Sequence, residues 1–251
     1  MSTLPTPALS AHPAHPALSA LTAAAAGDGT WFERNVIKQK LVTAILETLG
    51  MTFISGALAI TFGLLLGLAL VTTGARGQHR NRLLYETLSQ LVNFGRSMPF
   101  IILLVAIIAF TRLIVGTSIG WEAACVPLTV GAIPFYARLV ENAIAEVDEG
   151  KVEAALMMGA TPTQITWGVL VREALPGLIS AGTVTFITLL GYSAMAGTVG
   201  GGGLGDLAIQ YGHNRNWTDV IILTVVIIAI IVAVIQVAGD LLARVVDHRR
   251  R

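Results

Sequence analysis

The sequence predicts an all-α, polytopic membrane protein with about five transmembrane helices and one long cytoplasmic loop. Three observations support this fold class. Of the 251 residues, 54% are hydrophobic and only 12% are charged, whereas a soluble domain usually carries about 25% charge. The mean hydropathy is +0.74. Five stretches reach the length of about 20 mostly apolar residues that a helix needs to cross a bilayer core.

The residues before the first span divide into two parts. Residues 1–30 are rich in Ala, Pro, Ser and Thr and lack the basic start and apolar core of a signal peptide, so we predict a disordered tail. His12 and His15 are interrupted by prolines, and we expect no metal site there. Residues 31–46 mix apolar and charged positions. They fit either an interfacial helix or a helix lying against the bundle.

The five predicted spans follow one another from residue 49 to residue 242. The third is the weakest, because it contains Pro127, Pro134 and Arg138. No internal repeat relates the spans, which argues against the inverted-repeat transporters. The approximate ranges are 49–73, 98–118, 122–141, 176–197 and 220–242.

The Lys and Arg residues indicate how the spans are oriented. With the N-terminus outside and the C-terminus in the cytoplasm, 11 of the 16 basic residues are on the inner side. This distribution agrees with the positive-inside rule. The inner set is Arg76, Arg80, Arg82, Arg96, Arg138, Lys151, Arg172, Arg244, Arg249, Arg250 and Arg251, and the outer set is Arg34, Lys38, Lys40, Arg112 and Arg215.

Four residues near or within the spans have simple expected roles. Arg138 and Glu141 are one helical turn apart, which predicts a local ion pair. Arg96, near the inner end of span two, either snorkels to the lipid headgroups or pairs with an acidic residue of the inner loop. The single Cys125 lies in an apolar stretch, and we expect it to be a packing residue.

The longest inner connection, residues 142–175, predicts two short helices joined at a corner. Residues 151–158 are good helix formers, and Gly159 is placed to end that helix. Thr161, Pro162 and Gln164 form a capping-box pattern that starts a second helix towards Arg172. The small face of the first helix would let it insert into a groove on a soluble partner. An ordinary surface helix fits the composition equally well.

The stretch "EAALMMGATPTQITWGVL", residues 153–170, resembles the EAA loop of ABC-importer permeases. The resemblance implies a coupling helix that docks into a cleft of a separate ATPase subunit. One departure from the family pattern is that Val171 and Arg172 stand where the family has Leu-Pro. Leu175-Pro176 follows, and we expect it to open the fourth span. The docking positions implied by the resemblance are Glu153, Ala154, Ala155, Gly159 and Ala160.

Further stretches resemble the methionine-importer branch of these permeases: residues 93–104, 115–120, 126–144, 173–181 and 189–212. The resemblance implies a transport subunit, not an enzyme, in a bacterial inner membrane. It also implies a pore formed by two copies of the chain, two cytoplasmic ATPase subunits, and an external binding protein that delivers methionine. Another small amino acid or a related zwitterion is the alternative cargo.

The glycines of "VGGGGLGDLA", residues 199–208, raise the question of a nucleotide site. Gly200, Gly202 and Gly205 match the G-x-G-x-x-G spacing, but they follow an apolar span and no βαβ unit surrounds them. We interpret them as a sharp turn at the outer mouth of the pore. The sequence contains no G-x-x-x-x-G-K-[ST], so ATP and Mg²⁺ are expected on the partner ATPase, with no cofactor in this chain. A net charge of +1 does not indicate nucleic acid binding.

The fourth span has no charged residue but carries several hydroxyl side chains. These fit close helix packing or a weakly polar pore wall. By resemblance the gate lies around "GYSAMAG", which makes Tyr192, Ser193 and Met195 the candidate pathway residues. Met195 would be a movable, polarisable constriction. The rival interpretation is an intramembrane hydrolase with Ser193 as nucleophile and His213 as base, although His213 falls in a loop after the span.

Overall fold

The computed structural model describes residues 35–75, 77 and 79–247, and over these residues it contains helices and no strand. The tail predicted over residues 1–30 lies outside the described residues. The helices are α1 (Asn35–Thr73), α2 (Arg82–Ser97), α3 (Phe100–Ala106), α4 (Ile108–Val115), α5 (Trp121–Ala145), α6 (Glu149–Met157), α7 (Pro162–Gln164), α8 (Arg172–Gly197), α9 (Gly203–Leu207) and α10 (Thr218–Val246). Two π-helical segments are π1 (Ile165–Val171) and π2 (Ala208–His213).

Helix α1 is much longer than the span predicted at 49–73. Its 39 residues correspond to about 58 Å, nearly twice the thickness of a bilayer core. Residues 35–46 form no separate interfacial helix, because no Gly or Pro interrupts the chain before Gly50. Instead, the start of α1 lies against the bundle, where Ile37 is fully buried in a cluster with Leu204 and Val220.

The second predicted span, 98–118, is broken in the structure. α3 and α4 meet at Ile107, whose φ of −101° and ψ of 15° interrupt the helix. α2 and α3 form a pair bent by 102° at Pro99, which lacks an amide hydrogen and restricts the backbone of Met98. Hydropathy does not register such breaks. The helices long and apolar enough to cross a membrane are Ile37–Thr73, Trp121–Ala145, Pro162–Gly197 and Thr218–Val246, and the bent pair is a fifth crossing if it counts as one broken span.

Helices α1, α5 and α8 form the centre of the bundle. α1 and α5 run in the same direction, and Ser55 Oγ donates a hydrogen bond to the carbonyl oxygen of Cys125 at 3.2 Å. α8 runs in the opposite direction. This direction follows from the packing clusters, in which Met51 lies with residues near the end of α8 and Leu68 with residues near the start of α8. The segment between α8 and α9 and the corner between α6 and α7 therefore lie at opposite ends of the bundle. We call residues 198–203 the glycine loop and residues 146–164 the coupling corner.

Candidate coupling corner and transport pathway

The end of α6 has the geometry that the sequence predicts. Gly159 has φ +78°, a region that strains any residue with a Cβ atom. Its N–H donates to the Leu156 carbonyl oxygen at 2.9 Å, and the N–H of Ala160 donates to the Ala155 carbonyl oxygen at 3.0 Å. This pair of bonds is the Schellman motif, which satisfies the last carbonyls of the helix. The prediction that Gly159 ends the helix is confirmed.

The capping box at Thr161 is also confirmed. The N–H of Gln164 donates to Thr161 Oγ1 at 3.4 Å, and the N–H of Thr161 donates to Gln164 Oε1 at 2.8 Å. Pro162 occupies the first helical position, where its missing N–H costs nothing. The chain therefore turns sharply between α6 and α7.

The second helix does not end near Arg172, and Leu175-Pro176 does not open a separate span. α7 continues through π1 into α8, with Pro176 inside α8. Val171 (φ −65°, ψ −41°) and Arg172 (φ −66°, ψ −42°) both have helical backbone angles, so the helix continues through that point. The result is one continuous helical segment of 36 residues from Pro162 to Gly197, which is π-helical over Ile165–Val171. It joins the coupling corner directly to the glycine loop.

The tip of the coupling corner presents large apolar side chains to solvent. Met157 is 90% exposed, Met158 81% and Leu156 53%. Such a cluster of exposed apolar residues is typical of a contact surface. These three residues were not among the predicted docking positions, although the run Leu-Met-Met directly before Gly159 is a visible signal in the sequence.

The five docking residues implied by the resemblance do not share one surface. Glu153, Ala154 and Gly159 are exposed, and Ala160 is half-buried. Ala155 is only 5% exposed and faces the interior of the protein. In this arrangement it packs α6 against the protein and presents almost no surface of its own.

An ion pair joins α6 to the first turn of α8. Lys151 Nζ donates to Glu173 Oε1, with the two side chains 49% and 24% exposed. The residues are separated by the whole corner, so the pair fixes the position of α6 relative to the long helix. This contact was not predicted, because spacing in the sequence does not show which residues a corner brings together.

The three candidate pathway residues lie on different sides of α8. Tyr192 stacks on Phe100 with ring centroids 4.5 Å apart and planes 1° from parallel. Ser193 is 1% exposed, and its hydroxyl donates to the Leu190 carbonyl oxygen at 2.8 Å. Met195 is 49% exposed. Of the three, Met195 alone lies on the face of α8 that the rest of the chain leaves uncovered.

This uncovered face forms a stripe along α8. Its exposed members are four, seven and four residues apart and fall on one side of a 3.6-residue helix. They carry a hydroxyl, a branched methyl pair, a bare backbone and a thioether, and no charge. The members are Ser180, Val184, Gly191 and Met195.

The contacts of Ser193 argue against a hydrolase. A nucleophilic serine must reach both a base and the substrate. The Ser193 hydroxyl is instead buried and committed to its own helix, three residues back. His213 is exposed in π2, beyond the glycine loop.

The ion pair predicted between Arg138 and Glu141 is confirmed, with Nη1 and Oε2 at 2.5 Å. It belongs to a larger network between α5 and α2. Arg138 Nη2 also donates to Ser89 Oγ at 3.0 Å and Asn93 Oδ1 at 2.7 Å, and the Tyr85 hydroxyl donates to Glu141 Oε1 at 3.0 Å. The two charged side chains are 17% and 16% exposed, so this network anchors α2 to α5 beside the coupling corner.

The helical bundle, the coupling corner and the uncharged stripe on the helix that leaves that corner together define a membrane transport subunit. The chain belongs to the family of binding-protein-dependent transport system inner membrane components, whose family model matches residues 59–251.

Individual relatives agree with this assignment. The chain is 53% identical to the probable D-methionine transport system permease protein MetI of Vibrio cholerae over 87% of this chain and 96% of that protein. It is 57% identical to the D-methionine transport system permease protein MetI of Escherichia coli K12 over 62% of this chain and 72% of that one. A solved structure of inward-facing conformations of the MetNI methionine ABC transporter superposes with a TM-score of 0.84 at 51% identity, covering 86% of this chain and 100% of that one.

These comparisons confirm three expectations from the sequence. The chain is an ABC-importer permease of the kind that the EAA loop indicated. Its fold is the all-α, multi-pass fold of such a permease. It is a transport subunit rather than an enzyme, because its relatives are named as permease proteins.

Proposed function

We propose that this chain is the permease subunit of an ATP-driven importer that takes up methionine. The similarity to the MetI proteins supports this cargo, because it extends over nearly the whole of the Vibrio cholerae relative. The observation that carries the mechanism is the continuous helical segment Pro162–Gly197. It links a surface suited to a soluble partner with the residue best placed to line a pore.

The proposed assembly contains two copies of this chain, two cytoplasmic ATPase subunits that bind ATP and Mg²⁺, and an external binding protein. The coupling corner faces the cytoplasm and the glycine loop faces outward, with the N-terminus outside and the C-terminus inside. The excess of Lys and Arg on the corner side supports this orientation. The second copy would cover the stripe of α8, which a single chain leaves exposed.

Coupling begins at the apolar tip of the corner. Leu156, Met157 and Met158 insert into a groove of the ATPase subunit, in the way that an apolar helix end binds a cleft. Glu153 and Ala154 extend this docking surface, while Ala155 supports it from within. Movement of the ATPase then reaches α8 by two routes, the backbone of α7 and π1, and the ion pair between Lys151 and Glu173.

Met195 is the proposed gate residue. Its thioether is flexible enough to open and close a constriction, and it lies on the uncovered stripe. The hydroxyl and backbone groups of the stripe offer a passing zwitterion weak polar contacts without a charge to trap it. Tyr192 acts behind the gate, where its stack on Phe100 holds α8 against α3, and Ser193 is buried behind the gate with its hydroxyl bonded within α8.

The test is ATP-dependent uptake of labelled methionine by proteoliposomes containing the chain, its ATPase subunit and its binding protein. We expect accumulation that requires ATP and is competed by unlabelled methionine. Competition with D-methionine, L-methionine and other small amino acids identifies the preferred cargo. If another amino acid suppresses uptake and excess methionine does not, that amino acid replaces methionine as the proposed cargo. ATP-independent flux would overturn the importer proposal itself.

A further inference from the structure

The end of the glycine loop and the start of α9 are bound by two adjacent residues of α1. The N–H of Gly203 donates to Glu47 Oε2 at 2.7 Å, and the N–H of Leu204 donates to Thr48 Oγ1 at 2.8 Å. These amides begin the short helix α9 and have no partner within it. Two consecutive side chains thus satisfy two consecutive amides, 156 residues apart in sequence.

The surroundings leave this contact little freedom. Thr48 is 3% exposed and Leu204 is fully buried. Gly203 has φ +76°, and a Cβ atom there would lie 2.6 Å from Thr48 Oγ1. The loop therefore approaches α1 as closely as a glycine backbone allows, and the hydrogen bonds are the reason for that approach.

The same loop is continuous with the end of α8. The N–H of Gly201 donates to the Ala196 carbonyl oxygen at 2.9 Å, one residue beyond Met195. The N–H of Gly120, before α5, donates to the Gly200 carbonyl oxygen at 2.9 Å. The end of the helix that carries Met195 is thus tied to α1 and α5 through the loop.

We propose that Glu47 is a positioning residue for the gate: its carboxylate, aided by Thr48, holds the glycine loop against α1 and so fixes the outer end of α8. A hydrogen bond from an amide to a carboxylate is about twice as strong as one between neutral groups. Its loss loosens the loop where it meets α1, and the outer end of α8 then follows the movement that begins at the coupling corner less closely. The inference rests on the proposed function but concerns a residue at the opposite end of the bundle from the ATPase.

The first experiment measures the contact itself. Hydrogen exchange of the Gly203 and Leu204 amides is followed by mass spectrometry in the assembled complex, for wild type, Glu47→Ala, Glu47→Gln and the control Glu86→Ala. Glu86 is an exposed carboxylate that pairs with Arg82 on α2. We expect exchange at least tenfold faster in Glu47→Ala, a smaller increase in Glu47→Gln, which keeps an acceptor oxygen, and none in Glu86→Ala. Unchanged exchange in Glu47→Ala overturns the proposal.

The second experiment measures the consequence, as the ratio of substrate transported to ATP hydrolysed. We expect Glu47→Ala to lower this ratio at least fivefold while ATP hydrolysis persists, and Glu47→Gln to restore most of it. A misfolded Glu47→Ala protein would lose transport and ATP hydrolysis together. In that case the ratio measured for Glu47→Gln decides whether the positioning role holds. Faster exchange with an unchanged ratio overturns the positioning role. If the wild-type complex transports nothing, the proposed function fails, whereas the exchange result still reports on the Glu47 contact.

Discussion

Lys151 in α6 and Glu173 in the first turn of α8 form an ion pair across the coupling corner. The pair is partly exposed, and ion pairs of this kind contribute little to the free energy of unfolding. The pair matters for its position, not for its contribution to stability. It connects the element proposed to touch the ATPase with the helix proposed to carry the gate, without passing through the backbone of the corner.

Replacing Lys151 with Ala is expected to reduce uptake per ATP hydrolysed about two- to fivefold, because α6 then moves without drawing α8 with it. Unfolding stability changes by less than about 1 kcal/mol. The double variant Lys151→Glu with Glu173→Lys exchanges the two charges and keeps an ion pair. It should restore coupling if the ion pair itself, and not either residue alone, connects α6 to α8. Transport and ATPase assays on the same proteoliposomes give the uptake per ATP hydrolysed. If the charge-exchanged variant does not recover this ratio, the ion pair does not link α6 directly to α8.

Substitutions of Gly159 separate its positive φ angle from its small size on the docking surface. Gly159→Ala meets no atom within 4 Å but strains the backbone by about 1–2 kcal/mol. Gly159→Trp adds bulk to the docking surface and is expected to abolish uptake while the protein remains in the membrane. Gly159→Asn, which tolerates positive φ, should be milder than either.

Gly168 in π1 is the matched control for Gly159, because a Cβ atom there also meets nothing and its φ is not positive. Gly168→Ala should leave uptake within about twofold of wild type. Membrane abundance and pull-down of the ATPase subunit are measured alongside uptake. Normal ATP-dependent uptake by Gly159→Trp would remove the corner from the coupling route.

The three gate candidates are expected to respond differently. Met195→Ala should change the rate or selectivity of uptake with less than about 1 kcal/mol of destabilisation, since the side chain is half exposed. Tyr192→Ala should lower stability by about 1 kcal/mol or more through the lost stack on Phe100. Ser193→Ala should keep full uptake, because its hydroxyl only bonds within its own helix. Uptake kinetics beside thermal unfolding of each variant distinguish the roles, and an inactive but stable Ser193→Ala would reverse the assignment.

Removal of the Glu141 carboxylate should destabilise the bundle strongly. Glu141→Ala leaves the Arg138 guanidinium largely buried without its counter-charge, which costs about 3 kcal/mol in comparable buried pairs. Glu86→Ala breaks an exposed pair with Arg82 and is expected to have no measurable effect. The comparison is made as apparent melting temperature in detergent. Equal melting temperatures for both variants would show that the network does not anchor α2.

The proposed orientation predicts where reporters become accessible. A reporter fused after Arg251 should be active in the cytoplasm. One inserted at the exposed residues 213–216 should be active only outside. A loop reporter that is active only inside the cell would invert the proposed map and place the corner away from the ATPase.

Local chemistry allowed several features to be predicted from the sequence. The Gly159 helix end and the Thr161 capping box depend on residues within six positions of one another, so their pattern is visible in the chain. The Arg138–Glu141 pair was predicted for the same reason. Long apolar stretches likewise predicted the all-α membrane fold, since crossing a bilayer requires length and hydropathy above all.

Features that depend on distant contacts or on backbone breaks were not predicted. The kink at Ile107 lies in an uninterrupted apolar stretch, so hydropathy treated 98–118 as one span. The resemblance placed Ala155 among the docking residues, but a helical face can be assigned only when the neighbour that buries it is known. Glu47 stands just before an apolar span and resembles an ordinary boundary charge. Its role follows only from the arrival of Gly203 beside it.

The continuous helical segment from Pro162 to Gly197 has a mechanical consequence. Within it, the 26 α-helical residues of α8 extend about 39 Å at 1.5 Å per residue, so a tilt of about 10° around one end displaces the other by about 7 Å. That sweep exceeds the width of an amino acid. In the proposed orientation, a small tilt about a pivot near the inner membrane surface is therefore enough to open a passage at the outer side. The proposed mechanism thus treats this helix as a lever within the bilayer.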